Sequence, residues 1–276
     1  MYKKKKYAII GARVHPGESN SSYMMQGFIK YLLGDSHQAK QLRKRVVFKI
    51  IPMINTDGVI IGNYRTSMAG NDLNRRYYKP DFRIHPSVCA IKQLASDLLY
   101  GPDEETKKTN REEPVTQNED ILAFVDMHGH SRKKNVFIYG PQEPLHSDKY
   151  LKMRVIPKLL AEETQKFRYH SCRFRLEQSK LKAARIVMWR EFNIMNCFTF
   201  EASFHGHFDA MNTNYEFTCA TFEEMGEHLS NGLFEYLMIL EEDERRRKLK
   251  EIAKKKKKKQ KQLAMQRAAT LTKDPA

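Results

Sequence analysis

Residues 7–19 read Tyr7-Ala-Ile-Ile-Gly-Ala-Arg-Val-His-Pro-Gly-Glu-Ser19, a short apolar run that stops at Gly11 and is followed closely by His15 and Glu18. A run of this length, bounded by Gly, Pro or polar residues, is the pattern of a strand buried on both faces of a parallel or mixed sheet. Two later stretches repeat the arrangement: Ile121-Leu-Ala-Phe-Val-Asp-Met-His128 closes on a histidine and Cys197-Phe-Thr-Phe-Glu201 on a glutamate. Open α/β sheets bind ligands in the crevice beyond the carboxyl ends of their strands, so three separate runs deliver His15, Glu18, His128 and Glu201 to one place. The expected fold is α/β, with a mixed, mostly parallel central sheet and helices on both faces.

Outward from these runs, Tyr23, Met24, Phe28, Tyr31 and Leu32 mark a helix over 20–33, with Ser19 or Asn20 as its N-cap. Residues 46–51 read as a second buried strand. Residues 52–86, rich in Asn, Gly, Arg and Tyr without periodicity, read as a long functional loop region in which Arg76, Tyr77 and Tyr78 are surface. A helix is expected over 87–99. Residues 101–118, charged and almost without apolar side chains, read as a disordered surface insertion. A strand follows at 135–139, an amphipathic helix at 151–167 and a shorter helix at 183–192. Phe222, Met225, Leu229, Leu233 and Leu237 then mark a helix packed on the sheet. Residues 1–240 are expected to form one catalytic domain and 241–276 a basic, helical or disordered tail.

The formal charge of +16 over 276 residues suggests a nucleic-acid partner until it is located. From 245 to 276 fourteen Lys and Arg face only Glu251 and Asp274, a net of +12, so the domain itself carries +4. The basic signal therefore belongs to the tail, and nucleic acid is not the expected partner. Four scattered cysteines without a C-x-x-C pair indicate neither a disulfide framework nor a thiolate metal site. The apolar stretch after Lys3–Lys6 is too brief for a signal-peptide core or a membrane span, so an intracellular, soluble protein is expected.

Two imidazoles and a carboxylate make a catalytic zinc site that keeps one position for water, with a further glutamate as its base. His15-x-x-Glu18 alone is a weak signal, since a glutamate at a helix N-terminus also complements the macrodipole. His130 competes with His128 for the ligand role; His128 is favoured because it continues the strand, leaving His130 to line the pocket or bond a loop carbonyl. An ionised Glu201 on a buried strand requires a partner, and an ion pair with Arg185 or Arg190 is its structural alternative. Arg65, Asp72, Asn74 and Arg75 fall in one loop region, where guanidinium and amide groups suit a carboxylate ligand. Asp72 could instead orient a metal-bound imidazole.

With these residues in hand the chain resembles the zinc metallocarboxypeptidases of the carboxypeptidase A superfamily, and more narrowly the cytosolic carboxypeptidases, which remove glutamates from tubulin and other acidic tails. The matching stretches are His15-Pro-Gly-Glu-Ser-Asn-Ser-Ser, Asn55-Thr-Asp-Gly-Val, Gly62-Asn-Tyr-Arg, Gly70-Asn-Asp-Leu-Asn-Arg, Asp126-Met-His-Gly-His-Ser, Val187-Met-Trp-Arg-Glu and Phe198-Thr-Phe-Glu-Ala-Ser-Phe. They run in the family's order over about residues 7 to 240.

The resemblance implies one zinc held by His15, Glu18 and His128, with Glu201 as general base and then proton donor. It implies Asn74 and Arg75 on the substrate's terminal carboxylate, Arg65 on the oxyanion and Asp72 behind His15. Arg185 and Lys180 match the basic group that receives an acidic side chain. The expected function is deglutamylation of acidic C-terminal tails, those of tubulin included, in the cytoplasm or at the cytoskeleton or cilium. An N-acyl amino acid hydrolase with a similar site, and an inactive adaptor that binds microtubules or nucleic acid through the tail, are the alternatives. Three departures stand out: the family's domain normally starts earlier, with further strands, so a truncated domain is expected. After Ser179, the stretch to Arg185 lacks the acidic residue and hydroxyl common there, and no tyrosine occurs between Tyr169 and Tyr215 to serve as the family's mobile tyrosine.

Overall fold

The computed structural model describes residues 5–101 and 120–271; of the stretch read as a disordered insertion, all but Gly101 lies outside the described residues. The chain divides into two compact units, residues 1–234 and 235–276. The first contains strands β1 (Lys6–Ala12), β2 (Val46–Ile51), β3 (Ile121–His130), β4 (Val136–Tyr139) and β5 (Cys197–Ser203) in one sheet of order β2-β1-β3-β5-β4. β1 runs parallel to β2 and β3, and β3 parallel to β5, whereas β4 is antiparallel to β5. The helices are α1 (Asn20–Leu33), α2 (His37–Arg45), α3 (Thr56–Ile61), α4 (Pro86–Tyr100), α5 (Asp148–Lys152), α6 (Val155–Glu163), α7 (Ala184–Phe192) and α8 (Cys219–Leu271).

Alternation along the strands assigns the two faces. Ile9 and Phe124 enter a core with Val88, Ile91 and Ala95 of α4 and Val187 and Met188 of α7. On the other face, Phe48 is in register with Ala8 and its ring packs edge-on, 5.7 Å away, against Phe28 of α1. Helices thus cover both faces, and each fully buried Leu, Ile or Phe contributes roughly 1.5–3 kcal/mol. α1 also crosses the start of α8 at two glycines: a Cβ on Gly27 would strike the Glu223 carbonyl, and one on Gly226 the Met24 carbonyl. Phe222, Met225, Leu229 and Leu233 on α8 are buried, as is Leu237. The second unit is helical through Leu271, with surface pairs Glu242–Arg245, Glu242–Arg246 and Glu244–Lys248.

Three expectations are corrected, and a fourth, the N-cap of α1, holds in position only. Residues 52–86 are not all loop: Asn55 caps α3 by accepting from the Gly58 amide, and Gly62, at φ 87°, ends it. The helix expected over 151–167 is interrupted at Met153–Arg154, four residues before Pro157, whose ring excludes a continuous helix at that carbonyl. Tyr77 is not surface but completely buried in the α4/α7 core. Ser19 is the N-cap position of α1 but makes no side-chain cap bond, while the Asn20 amide donates to the Ala202 carbonyl at 2.9 Å.

Candidate active site

β1 ends at Ala12, and Arg13 turns the chain with a left-handed φ of 56°. Its guanidinium donates to the Pro16 carbonyl and to Ser22 Oγ, which clamps the turn carrying His15 and Glu18. Gly129, just beyond His128 on β3, donates its amide to Glu18 Oε2 at 3.0 Å, and a Cβ there would collide with Asn20 and Phe204. Only a residue without a side chain lets the β3 backbone approach the carboxylate this closely.

The three buried side chains converge. Glu18 Oε1 lies 2.7 Å from His15 Nδ1, and Glu18 Oε2 lies 3.0 Å from His128 Nδ1. Each imidazole turns its other nitrogen to a carboxylate: His15 Nε2 is 3.0 Å from Asp72 Oδ1 and His128 Nε2 is 2.8 Å from Asp126 Oδ2. A carboxylate behind each ring fixes its orientation and leaves Nδ1 facing the centre. One donor atom from each of His15, Glu18 and His128 falls within a 4.8 Å span. Two imidazole nitrogens and one carboxylate, with rings braced from behind, fit Zn²⁺ and the open coordination of a catalytic site.

Electrostatics separate the carboxylates. Burial alone would raise Glu18, but His128 and His15 hold it well below the ordinary carboxylate range. Asp72, against its own burial, is likewise held low by His15, Arg65 and Arg75. His128 would be lowered by burial, yet Asp126 and Glu18 raise it. Glu201, in register with His128 on neighbouring strands, is pushed up to about 7 by burial, against the opposing pull of His128. Among the described residues its carboxylate has no hydrogen bond or ion pair. Arg190 is exposed, and Arg185 acts on Glu201 through space.

A cleft of about 340 Å³ opens over these groups, lined by His15, Glu18, Arg65, Asn74, Arg75, His128, Lys180, Arg185 and Glu201. Of the ligand, base and substrate-binding residues expected from the sequence, every one therefore lines a single cavity, with Asp72 behind His15. Arg65 is engaged with Asp72 Oδ2 through Nε at 3.0 Å and Nη2 at 2.7 Å. Asn74 is buried; its Oδ1 accepts from the Ala184 amide at 2.9 Å and its Nδ2 lies 3.4 Å from His128 Nε2. Arg185 is buried, and burial lowers its pKa while Glu201 raises it. Burial lowers Lys180 as well, helped by Arg75, Arg65 and Arg185. His130 also lines the cleft, its Nδ1 accepting loop amides from Arg132 and Lys133 instead of bonding a carbonyl.

Sequence reasoning missed three residues here. Asp126 was legible in principle, because residues two apart on a strand share a face and His128 needs a carboxylate behind it. Arg173 and Tyr139 line the cleft without any local motif; Arg173 arrives through a backbone bridge to Tyr139.

A braced His/Glu/His donor set, with His15 and Glu18 just past the end of β1 and His128 near the end of β3, and a separate buried glutamate on β5 beside it, fits a catalytic-type zinc centre on an α/β sheet. The chain belongs to the zinc carboxypeptidase family, whose profile matches residues 2–191. It is 39% identical over 239 residues to cytosolic carboxypeptidase 3 of Bos taurus, covering 85% of this chain and 22% of that protein. It is 37% identical over 234 residues to cytosolic carboxypeptidase 2 of Homo sapiens, covering 84% and 24%. The chain thus spans under a quarter of the length of these relatives. Among solved structures it is similar to a metallo-carboxypeptidase from Burkholderia cenocepacia, with a TM-score of 0.67 and 23% identity over 86% of this chain and 58% of that one. A metallo-carboxypeptidase from Pseudomonas aeruginosa, in complex with (2-guanidinoethylmercapto)succinic acid, gives a TM-score of 0.68 at 21% identity, covering 86% and 58%. These structural likenesses establish the fold.

Proposed function

We propose that this chain carries the catalytic centre of a zinc-dependent carboxypeptidase that releases C-terminal glutamate from acidic protein tails, such as those of tubulin. The observation that carries the reading is the cleft itself: Arg65, Arg75, Arg173, Lys180 and Arg185 line one cavity with the His15/Glu18/His128 cluster and Glu201. Zinc bound by His15, Glu18 and His128 would supply a Lewis acid that acidifies water and polarises the scissile carbonyl.

The chain's own groups do the rest. Glu201, with a pKa near the working pH, takes a proton from the attacking water at its carboxylate and passes it to the leaving amide nitrogen. Arg75 binds the free terminal carboxylate beside Asn74, which makes the enzyme an exopeptidase. Arg65, released from Asp72 or shared with it, stabilises the developing oxyanion. Arg185 and Lys180 receive the departing side chain. Their low dielectric surroundings strengthen attraction for an anion and disfavour a neutral or cationic residue.

The basic tail serves as a recruiter: cations that outnumber acids in the second unit raise the local concentration of an acidic partner at low salt. Relatives named cytosolic carboxypeptidases support a cytoplasmic setting; an acidic-tail substrate would place the enzyme at the cytoskeleton or cilium. Among the described residues no helix is long and apolar enough to cross a membrane. The test is release of amino acid from peptides ending in Glu, Gln or Leu. Preferential glutamate release is expected; equal release from all three would refute the glutamate assignment, and none from any would return the inactive adaptor.

A further inference from the structure

Tyr139 closes β4 on the face that carries Phe137, and their register partners on β5 are Thr199 and Glu201. Alternation therefore aims Tyr139 at the cleft, which it lines together with Thr199. Its ring is held between two cations, with Arg185 Cζ 5.6 Å and Lys133 Nζ 5.1 Å from the centroid. Arg173 is fixed beside it by backbone bonds from Arg173 N to the Ile138 carbonyl and from Gly140 N to the Arg173 carbonyl.

The contacts of His130 leave the Tyr139 hydroxyl as a donor. His130 Nδ1 accepts from the amides of Arg132 at 3.2 Å and Lys133 at 2.9 Å, so that nitrogen carries no hydrogen and the ring's proton sits on Nε2. Nε2 lies 3.5 Å from the Tyr139 hydroxyl and donates to it in a long hydrogen bond. With its oxygen already accepting, Tyr139 has its own O–H left to give, and no described residue accepts it. A second donor is stranded nearby: the buried Nε of Arg185 has no partner among the described residues. Buried or oriented donors without acceptors are costly and mark a place for a ligand acceptor.

We propose that Tyr139, aimed by His130, is a specificity-determining residue that donates its hydroxyl hydrogen to the side-chain carboxylate of the departing C-terminal residue, alongside Arg185 and Arg173. This rests on the carboxypeptidase reading above and names which side chains recognise the acid. A carboxylate offers acceptors to every stranded donor. A glutamine side chain turns an NH₂ toward donors, and a leucine leaves both donors unmet.

The experiment compares the Tyr139→Phe enzyme, confirmed folded by circular dichroism and zinc-loaded by metal analysis, with the parent on otherwise identical peptides ending in Glu and Leu. The ratio of kcat/KM for Glu over Leu is expected to fall by about tenfold or more, mainly through KM for Glu, as for a lost hydrogen bond to a charged group. His130→Ala should shift the ratio in the same direction by a smaller factor. A Tyr139→Phe enzyme that keeps the parental ratio overturns the proposal while leaving the carboxypeptidase reading intact. A parent that shows no preference for Glu removes the acidic subsite altogether, and this assignment with it.

Discussion

Glu18 and Glu201 are the same residue type in opposite states. Glu18 is held low by the imidazoles of His128 and His15, whereas Glu201, equally buried but without such partners, is pushed up to about 7. Environments that split two carboxylates in this way assign one to binding and the other to proton transfer. Glu201→Gln should leave folding and zinc content intact and reduce kcat by about 100- to 10,000-fold, because an amide cannot accept the water's proton. Near-parental turnover would place the base elsewhere. Since Glu201 must be ionised to act, kcat/KM should rise with pH through its pKa. The nearby zinc charge favours the ionised form, so the midpoint should lie below the metal-free value of about 7. A profile that falls with rising pH over that range would contradict the role. Asp126→Asn should weaken zinc binding by about 10- to 100-fold in competition with a chelator, by loosening the ring of His128. His15, Glu18, His128 and Glu201 were legible because each closes or closely follows an apolar run. Asp126 sits inside such a run, and its job appears only once the orientation of its neighbour is known.

At the scale of elements, the five strands of the main sheet were read close to where they lie, because their apolar runs are short and punctuated. β3 and β5 run two residues past His128 and Glu201, the two-residue strands His207–Phe208 and Asn214–Tyr215 were not read, and β3 and β5 carry the register that sets His128 beside Glu201. What escaped was structure whose signal is local chemistry instead of periodicity. α2 has a mostly polar sequence capped by Ser36, which accepts from the Ala39 amide, and α3 is only six residues between Asn55 and Gly62. Tyr77 looked like surface among arginines, yet the turn at Leu73–Arg75 carries it wholly into the core. The α1/α8 crossing depends on Gly27 and Gly226 facing opposing carbonyls. Gly226→Val should cost about 1–3 kcal/mol of stability, the usual range for forced overpacking, and thermal melting would show it. An unshifted melting temperature would mean that the helices separate without loss.

For the molecule as a whole, the positive charge lies in two separate places. On the proposed reading, cations in the cleft would select an acidic substrate, while the +12 of the +16 formal charge that lies in residues 245–276 would recruit acidic partners. Deleting 245–276 should weaken association with acidic polymers or microtubules and flatten its salt dependence. Cleavage of a short peptide should hardly change, because the site is built from residues between His15 and Glu201. A folded truncated enzyme that lost short-peptide turnover would show that the tail helps build the catalytic unit. The most direct test of the zinc carboxypeptidase reading is a zinc titration of metal-stripped protein, with release of glutamate from a polyglutamate-tailed peptide followed at each step. Activity should appear in proportion to zinc and saturate at one ion per chain, and His128→Ala should abolish both stoichiometric binding and release. Undiminished zinc and glutamate release in His128→Ala would contradict it.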